Sequence, residues 1–155
     1  MDRSNSINLN EVEDFLHSWK KGIIDIGTLF HENNDYKAEA RSFIEKHYAF
    51  NIGDVLFKPT YTNEVVFRNN PEDALSYFIS GNISEDSGFA IKPWVDIKLT
   101  EVNFILEDNL CAVMGVLNLK PFNSENKTNI AFTFILVKDN HELKIKVHHS
   151  SEIKQ

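Results

Sequence analysis

Two histidines and two serines stand together at residues 148–151, near the end of the chain. Apolar residues alternate at positions 143, 145 and 147 before them, which is typical of a strand with one buried face. Because side chains two residues apart share a face of a strand, the pattern predicts that His149 and Ser151 point inward and that His148 and Ser150 point outward. An inward imidazole beside a hydroxyl could orient water or carry a proton, although such a pair can also be purely structural.

Adjacent histidines suggest a metal site, and strand geometry argues against one. His148 and His149 would point to opposite faces of a strand, so they cannot bind the same ion. The remaining histidines are scattered, and the sequence contains no HExxH motif, no CxxC motif and no Asp-rich calcium loop. We therefore predict no metal and no cofactor.

Residues upstream could bring further polar groups to a cavity. Lys58 and Thr60 follow a short predicted strand, and Tyr77 lies on an apolar predicted helix. Thr60 could instead cap a turn, Lys58 could be solvated, and the Tyr77 ring could fill the core with its hydroxyl satisfied. Arg68 is a candidate partner for an anion, with an ordinary surface position as the alternative. The loop at 86–94 has turns fixed by Gly and Pro, and we expect its aromatic residues to cover an opening.

The elements that must position these residues fall into two halves. Residues 1–9 are polar and predicted to be frayed, and Asn10 is predicted to cap a long amphipathic helix. Further helices are predicted around residues 40–48 and after an N-cap at Asn70, where Pro occupies the first helical position. From Trp94 onward the apolar period becomes two, which predicts an antiparallel meander of strands.

Two predicted strands change their inward parity partway along. The first change falls near Thr100 and Glu101, and the second falls around Gly115, which indicates a β-bulge in each strand. Paired bulges curl a sheet, and a curled sheet can enclose a cavity. Helices followed by a bent sheet predict an α+β fold, organised as a single domain over residues 10–155.

Composition restricts the possible partners. The chain has 155 residues, of which 42% are hydrophobic and twelve are Phe, and its formal net charge is -7. That size fits one domain, and that charge argues against nucleic acid and anionic membranes as partners. Cys111 has no second cysteine to pair with, and the sequence shows neither a signal-like segment nor a membrane-span-length apolar run. We expect a cytoplasmic protein.

A family resemblance rests on an ordered series of short segments. The segments are Phe57-Lys58-Pro59-Thr60, Phe67-Arg68, Ala74-Leu75-Ser76-Tyr77-Phe78, Gly88-Phe89-Ala90-Ile91, Pro93-Trp94, Met114-Gly115 and His148-His149-Ser150-Ser151. Over residues 15–152 they resemble the iota-class carbonic anhydrases, most closely the metal-independent bacterial and algal members, whose domain is similar to the association domain of calmodulin-dependent kinase II. The chain departs from that pattern at Ile130-Ala131-Phe132-Thr133-Phe134, where the family has a Tyr, and at Glu152-Ile153, where the family has a Pro.

The resemblance implies a fold, an activity and a site. The fold is a nuclear-transport-factor-2-like cone, the assembly is a homodimer, and the reaction is the reversible hydration of carbon dioxide to bicarbonate without a metal. The catalytic residues implied are Thr60, Tyr77, His149 and Ser151. The residues expected to contact substrate are Phe57, Lys58, Arg68, Phe89 and Trp94.

Two other functions fit the same fold. A non-catalytic module for ligand binding or oligomerisation is the first, because fold does not fix function. An isomerase-like or cyclase-like enzyme is the second, and it would require an inward carboxylate that the predicted strands do not offer. A small cavity with a polar base would favour carbon dioxide, whereas several hundred Å³ of apolar space would favour a larger ligand.

Overall fold

Two helices precede the sheet in the sequence, and their apolar faces pack against it. The computed structural model describes residues 6–92 and 94–154. Helix α1 (Leu9–His31) buries an apolar stripe that includes Trp19, and helix α2 (Tyr36–His47) packs beside it before a short 3₁₀ turn. The α1 cap is Asn8, whose side chain accepts the Glu11 N–H at 2.9 Å, so the predicted cap at Asn10 is wrong by two residues.

The start of the chain was predicted to be frayed over residues 1–9. Residues 1–5 lie outside the described part of the chain. Ile7 is 8% exposed, and its N–H donates to the carbonyl of Asp108 at 3.0 Å. The last residues of the predicted frayed segment are therefore packed against the turn between two strands.

A short strand and a third helix connect the helical half to the sheet. Strand β1 (Leu56–Lys58) precedes helix α3 (Pro71–Ile79). The predicted start of this helix is confirmed, since the Asn70 side chain accepts the Asp73 N–H at 2.9 Å and Pro71 is the first helical residue. The missing N–H of proline costs nothing at that position.

The remaining strands form the predicted antiparallel meander. They are β2 (Trp94–Leu106), β3 (Leu110–Pro121), β4 (Thr128–Asp139) and β5 (Glu142–Glu152). The strand order in the open sheet is β1-β5-β4-β3-β2, and β1 joins the edge of β5 in the parallel direction. This arrangement confirms the predicted α+β class.

One of the two predicted bulges is present. Strand β2 shifts register between Thr100 and Asn103, where Glu101 has a left-handed φ of 52°. The second prediction is wrong, because burial continues to alternate through Gly115 in β3. A Cβ atom at Gly115 would lie 3.1 Å from side-chain atoms of Phe132 and Val102, so this glycine permits a close approach instead of a bulge.

A bulge that the sequence did not reveal lies in β5. Ile135 of β4 pairs with Val147 while the next residue, Leu136, pairs with Ile145. Lys146 is therefore an extra residue in the ladder, and an extra residue reverses which side chains face the core. This reversal decides the orientation of residues 148–151.

The space between helices and sheet is filled largely by aromatic rings. Phe134, for example, packs at 6.2 Å from Phe15 and 5.7 Å from Trp19, measured between ring centroids. No helix in the described ranges is both long enough and apolar enough to cross a membrane. The helices cover one face of the curved sheet, and a small cavity remains between the helices and that face.

Candidate active site

A small cavity lies between α1, α3 and the inner face of the sheet. Its walls are formed by Trp19, Phe57, Pro59, Thr60, Tyr77, Phe78, Phe89, Leu117, Ile130, His148 and Ser150. Its volume is about 10 Å³, which is close to the minimum that one ordered water molecule needs. The wall is mostly aromatic and aliphatic, and the polar groups come from three hydroxyl side chains and one imidazole.

His148 faces this cavity, contrary to the orientation predicted from strand parity. Its side chain is 4% exposed, whereas the neighbouring His149 is exposed. The same reversal applies to the serines, because Ser150 is 4% exposed and Ser151 is exposed. The prediction that His149 and Ser151 point inward is therefore wrong, and the extra residue Lys146 in the β5 bulge is the physical reason.

The His148 ring packs against aromatic rings and has a hydrogen-bond partner at each nitrogen. It stacks on Phe57 at a centroid distance of 4.6 Å and meets the edge of Phe134 at the same distance. Its Nδ1 lies 2.9 Å from the Tyr48 hydroxyl, and its Nε2 lies 2.7 Å from Ser150 Oγ. Burial lowers the pKa of His148 from its usual 6.5 to about 3, with a smaller contribution from His149. The ring is neutral at physiological pH.

Tyr77 and Thr60 also line the cavity, and the sequence predicted that both could reach one. Tyr77 is 5% exposed, and its ring stacks on Phe89 at 5.8 Å. Its hydroxyl accepts the backbone N–H of Tyr61 at 3.3 Å. Burial raises the pKa of Tyr77, and hydrogen bonds from Tyr61 and Thr60 offset part of that rise. The Tyr77 hydroxyl therefore keeps its proton and can act as a donor.

A buried ion pair holds the loop that carries Thr60. Both terminal nitrogens of Arg68 donate to the Asp86 carboxylate, at 2.6 and 2.8 Å, and Ser76 donates to the same group at 2.6 Å. Glu85 accepts three consecutive backbone N–H groups of the loop, at residues 63–65. Because Arg68 is 0% exposed and bound to Asp86, the prediction that it contacts substrate is wrong. The alternative surface position is wrong as well.

The other predicted substrate contacts divide into two groups. Phe57 and Phe89 line the cavity. Trp94 lies behind Phe89, and its indole N–H donates to the Phe89 carbonyl at 2.8 Å. Lys58 is half-buried, is not part of the cavity wall, and donates to the Thr60 carbonyl at 3.4 Å. Trp94 and Lys58 thus support cavity residues from outside its wall.

A larger groove lies elsewhere on the surface, beside Ser18 and His47. Its volume is about 290 Å³, and acidic side chains such as Glu11 and Glu142 line it. His47 Nδ1 donates to the Phe43 carbonyl at 2.8 Å, so Nε2 accepts from Ser18 at 2.9 Å. Because this pair ties α1 to α2 and the groove is more open to solvent, we assign the chemistry to the smaller cavity.

The donor set of the cavity does not resemble a transition-metal site. Zinc sites in proteins are built from several imidazole, thiolate or carboxylate ligands, and the cavity offers one imidazole with both nitrogens hydrogen-bonded. Within residues 6–92 and 94–154, no group of three or more His, Cys, Asp or Glu side chains is arranged to hold a metal ion.

Two residues that contribute to the site were not predicted from the sequence. Trp19 belongs to the apolar stripe of α1, and Tyr48 follows the last turn of α2. Their polar atoms meet, since the Trp19 indole N–H lies 3.3 Å from the Tyr48 hydroxyl. Helical periodicity marks both as core residues, and nothing in the pattern indicates that Trp19 bonds to Tyr48 or that the Tyr48 hydroxyl bonds to His148.

Comparisons with known proteins point to one family. A family model described as metal-independent carbonic anhydrase matches residues 10–152. A protein of Nostoc sp. strain PCC 7120 named metal-independent carbonic anhydrase is 30% identical in an alignment of 153 residues that covers 94% of this chain and 74% of that protein. The match covers all of the elements that build the cavity.

Solved structures agree with the predicted nuclear-transport-factor-2-like fold. The crystal structure of a cyanobacterial iota-carbonic anhydrase complexed with bicarbonate is similar with a TM-score of 0.92 and 28% identity, covering 97% of this chain and 95% of that one. A putative calmodulin-dependent kinase II association domain from Xanthomonas campestris has a TM-score of 0.68 at 19% identity, with coverages of 100% and 99%. An NTF2-like protein from Pseudomonas putida has a TM-score of 0.65 at 11% identity, with coverages of 94% and 87%.

Proposed function

We propose that the chain, which belongs to the metal-independent carbonic anhydrase family, catalyses the reversible hydration of carbon dioxide to bicarbonate in the smaller cavity. The observation that carries the proposal is the lining of the cavity, in which aromatic walls surround the hydroxyl groups of Thr60, Tyr77 and Ser150. Carbon dioxide is neutral and linear, so its site needs an apolar wall and a few directed hydrogen-bond donors, and this cavity supplies both.

Cavity size favours this reaction over the alternative functions. Pockets for drug-sized ligands usually have volumes of about 300–1,000 Å³, and the cavity has about 10 Å³. A larger ligand would have to displace Phe57 or Tyr77, which pack against each other at 6.2 Å. A module that binds larger ligands is therefore disfavoured.

The hydroxyl groups of Tyr77 and Ser150 are assigned as the donors to substrate oxygen, and Thr60 donates its own hydrogen to the Tyr77 oxygen. When the water oxygen bonds to the carbon of carbon dioxide, one C=O bond becomes a C–O bond that carries negative charge, and the water loses a proton to solvent. Donors already aimed at this oxygen stabilise the charge without reorganising, and each is worth on the order of 3 kcal/mol in the barrier.

His148 replaces His149 as the imidazole of the proposed mechanism. A pKa of about 3 makes the ring a poor proton acceptor near neutral pH. We therefore assign His148 to orienting Ser150, which lies 2.7 Å from its Nε2, and not to removing the proton of the attacking water. Hydration should be much slower than the ~10⁶ s⁻¹ of a zinc-bound hydroxide.

Paired serine variants test the proposal. Ser150→Ala removes a hydroxyl that lines the cavity, and Ser151→Ala removes an exposed hydroxyl from the next residue. We expect stopped-flow carbon dioxide hydration to fall roughly 10²-fold in Ser150→Ala and to stay unchanged in Ser151→Ala. Equal rates in both variants would overturn the assignment of the donors.

Three further expectations belong to the same proposal. We infer that the reaction needs no bound metal, in line with the name of the family, and that the protein forms a homodimer in the cytoplasm. Light scattering coupled to size-exclusion chromatography tests the dimer, because a monomer of 17.9 kDa is well separated from a species of twice that mass.

A further inference from the structure

A chain of four polar side chains leads from α1 to the cavity. The Trp19 indole nitrogen lies 3.3 Å from the Tyr48 hydroxyl, which lies 2.9 Å from His148 Nδ1. His148 Nε2 in turn lies 2.7 Å from Ser150 Oγ. Each member is buried, with 3% exposure at Trp19 and 0% at Tyr48, so the hydrogen bonds within this chain are the ones that satisfy its polar atoms.

The direction of every hydrogen bond follows from the first member. An indole N–H can only donate, so the Tyr48 oxygen is an acceptor from Trp19. The single hydrogen of the Tyr48 hydroxyl then goes to His148 Nδ1, because the opposite direction would leave that hydrogen buried without a partner. Nδ1 is thus unprotonated, and the neutral ring carries its hydrogen on Nε2.

The last bond of the chain is fixed in the same way. Since His148 Nε2 carries a hydrogen, it donates to Ser150 Oγ, which accepts. The hydrogen of the Ser150 hydroxyl is then free to point into the cavity that Ser150 lines. In the other tautomer of His148, the Ser150 hydroxyl would donate its hydrogen to Nε2 of the ring. It could then act toward the cavity only as an acceptor.

Close packing around Tyr48 prevents a water molecule from taking over its hydrogen bond to His148. Its ring lies 5.3 Å from the Phe57 ring and 6.4 Å from the Phe43 ring, between ring centroids. A side chain with 0% exposure among aromatic rings leaves no room for a solvent molecule to take over its hydrogen bond.

We propose that Tyr48 is a positioning residue that fixes His148 as the Nε2–H tautomer and so makes Ser150 a hydrogen-bond donor to the substrate oxygen. Tyr48 does not touch the cavity, and it acts through His148. This inference rests on the proposed carbon dioxide hydration for its effect on rate, whereas the tautomer can be measured without any activity.

The test combines nitrogen-15 NMR of the histidine rings with hydration rates. Tyr48→Phe removes the hydroxyl and keeps the ring, and Tyr36→Phe makes the same chemical change on the first turn of α2, where the ring packs on Phe30 at 5.0 Å. We expect wild-type His148 to be the Nε2–H tautomer. Tyr48→Phe should give a mixture of tautomers and a rate at least roughly tenfold lower, and Tyr36→Phe should change neither.

The outcomes separate the two proposals. If the wild type hydrates no carbon dioxide, the proposed function fails while the tautomer measurement still decides the role of Tyr48. The inference is overturned if the wild-type ring is protonated on Nδ1, or if Tyr48→Phe leaves both tautomer and rate unchanged. Should Tyr48→Phe not fold, Ser150→Ala keeps the inference testable: because Tyr48 and not Ser150 fixes the tautomer, the His148 ring should remain protonated on Nε2 in this variant, and a change to the Nδ1–H tautomer would overturn the inference.

Discussion

Burial of His148 should make the protein lose stability in mild acid. The unfolded chain binds a proton at this ring near pH 6.5, while the folded chain binds one only near pH 3, because burial lowers the pKa of His148 to about 3. Stability is therefore constant above about pH 6.5 and falls as the pH decreases toward 3. Between about pH 8 and about pH 5, the pKa difference corresponds to a loss of about 2 kcal/mol.

Burial of His47 contributes to the pH dependence of stability over the same pH range, and its effect has to be separated from that of His148. Burial lowers the pKa of His47 to about 4, which adds about 2 kcal/mol over the same pH range. We expect the wild type to lose about 4 kcal/mol of unfolding free energy from about pH 8 to about pH 5, and His148→Asn to lose about 2 kcal/mol.

Urea unfolding at the two pH values measures these differences directly. Each variant is compared with itself at the two pH values, so the cost of the substitution at high pH cancels. His149→Asn is the matched control, because this neighbouring ring is exposed in the folded protein. The reasoning is refuted if His148→Asn keeps the full pH dependence of the wild type, or if His149→Asn removes as much of it as His148→Asn does.

Two further substitutions probe the donors and the loop that carries Thr60. Tyr77→Phe should lower the hydration rate roughly 10²-fold with little change in fold, because it removes one directed donor; a rate equal to that of the wild type would exclude Tyr77 from the mechanism. Asp86→Asn should cost about 3 kcal/mol of unfolding free energy, since it removes the close carboxylate partner of the fully buried Arg68 and leaves only Glu85, at 3.5 Å. Glu72→Gln, at an exposed ion pair with Arg41, should cost less than about 1 kcal/mol in the same denaturant titration.

The helical half and the strand meander could be predicted because their signals are local. The apolar stripe of α1 and the Asn70 cap followed by Pro71 each specify an element through residues only a few positions apart. The bulge near Glu101 was also visible, since the apolar parity of β2 changes on either side of it. Local patterns of this kind therefore gave the fold class and most of the elements.

The orientation of the site could not be read from β5 alone. Residues 143, 145 and 147 alternate regularly, and the bulge at Lys146 becomes evident only from the pairing of β5 with β4. A one-residue offset exchanges the two faces of a strand, so a correct choice of strand gave the wrong histidine and the wrong serine. The burial of Arg68 was missed for a related reason, because its partner Asp86 lies 18 residues away along the chain, beyond helix α3.

The measurement that tests the central claim most directly is stopped-flow carbon dioxide hydration by chelator-treated protein, with the metal content of the same sample determined in parallel. Folded protein carrying far less than one metal ion per chain should still hydrate carbon dioxide above the buffer rate, and well below the ~10⁶ s⁻¹ of a zinc enzyme. A rate no higher than that of buffer would contradict the claim, and so would activity that disappears with the metal and returns when one equivalent is added.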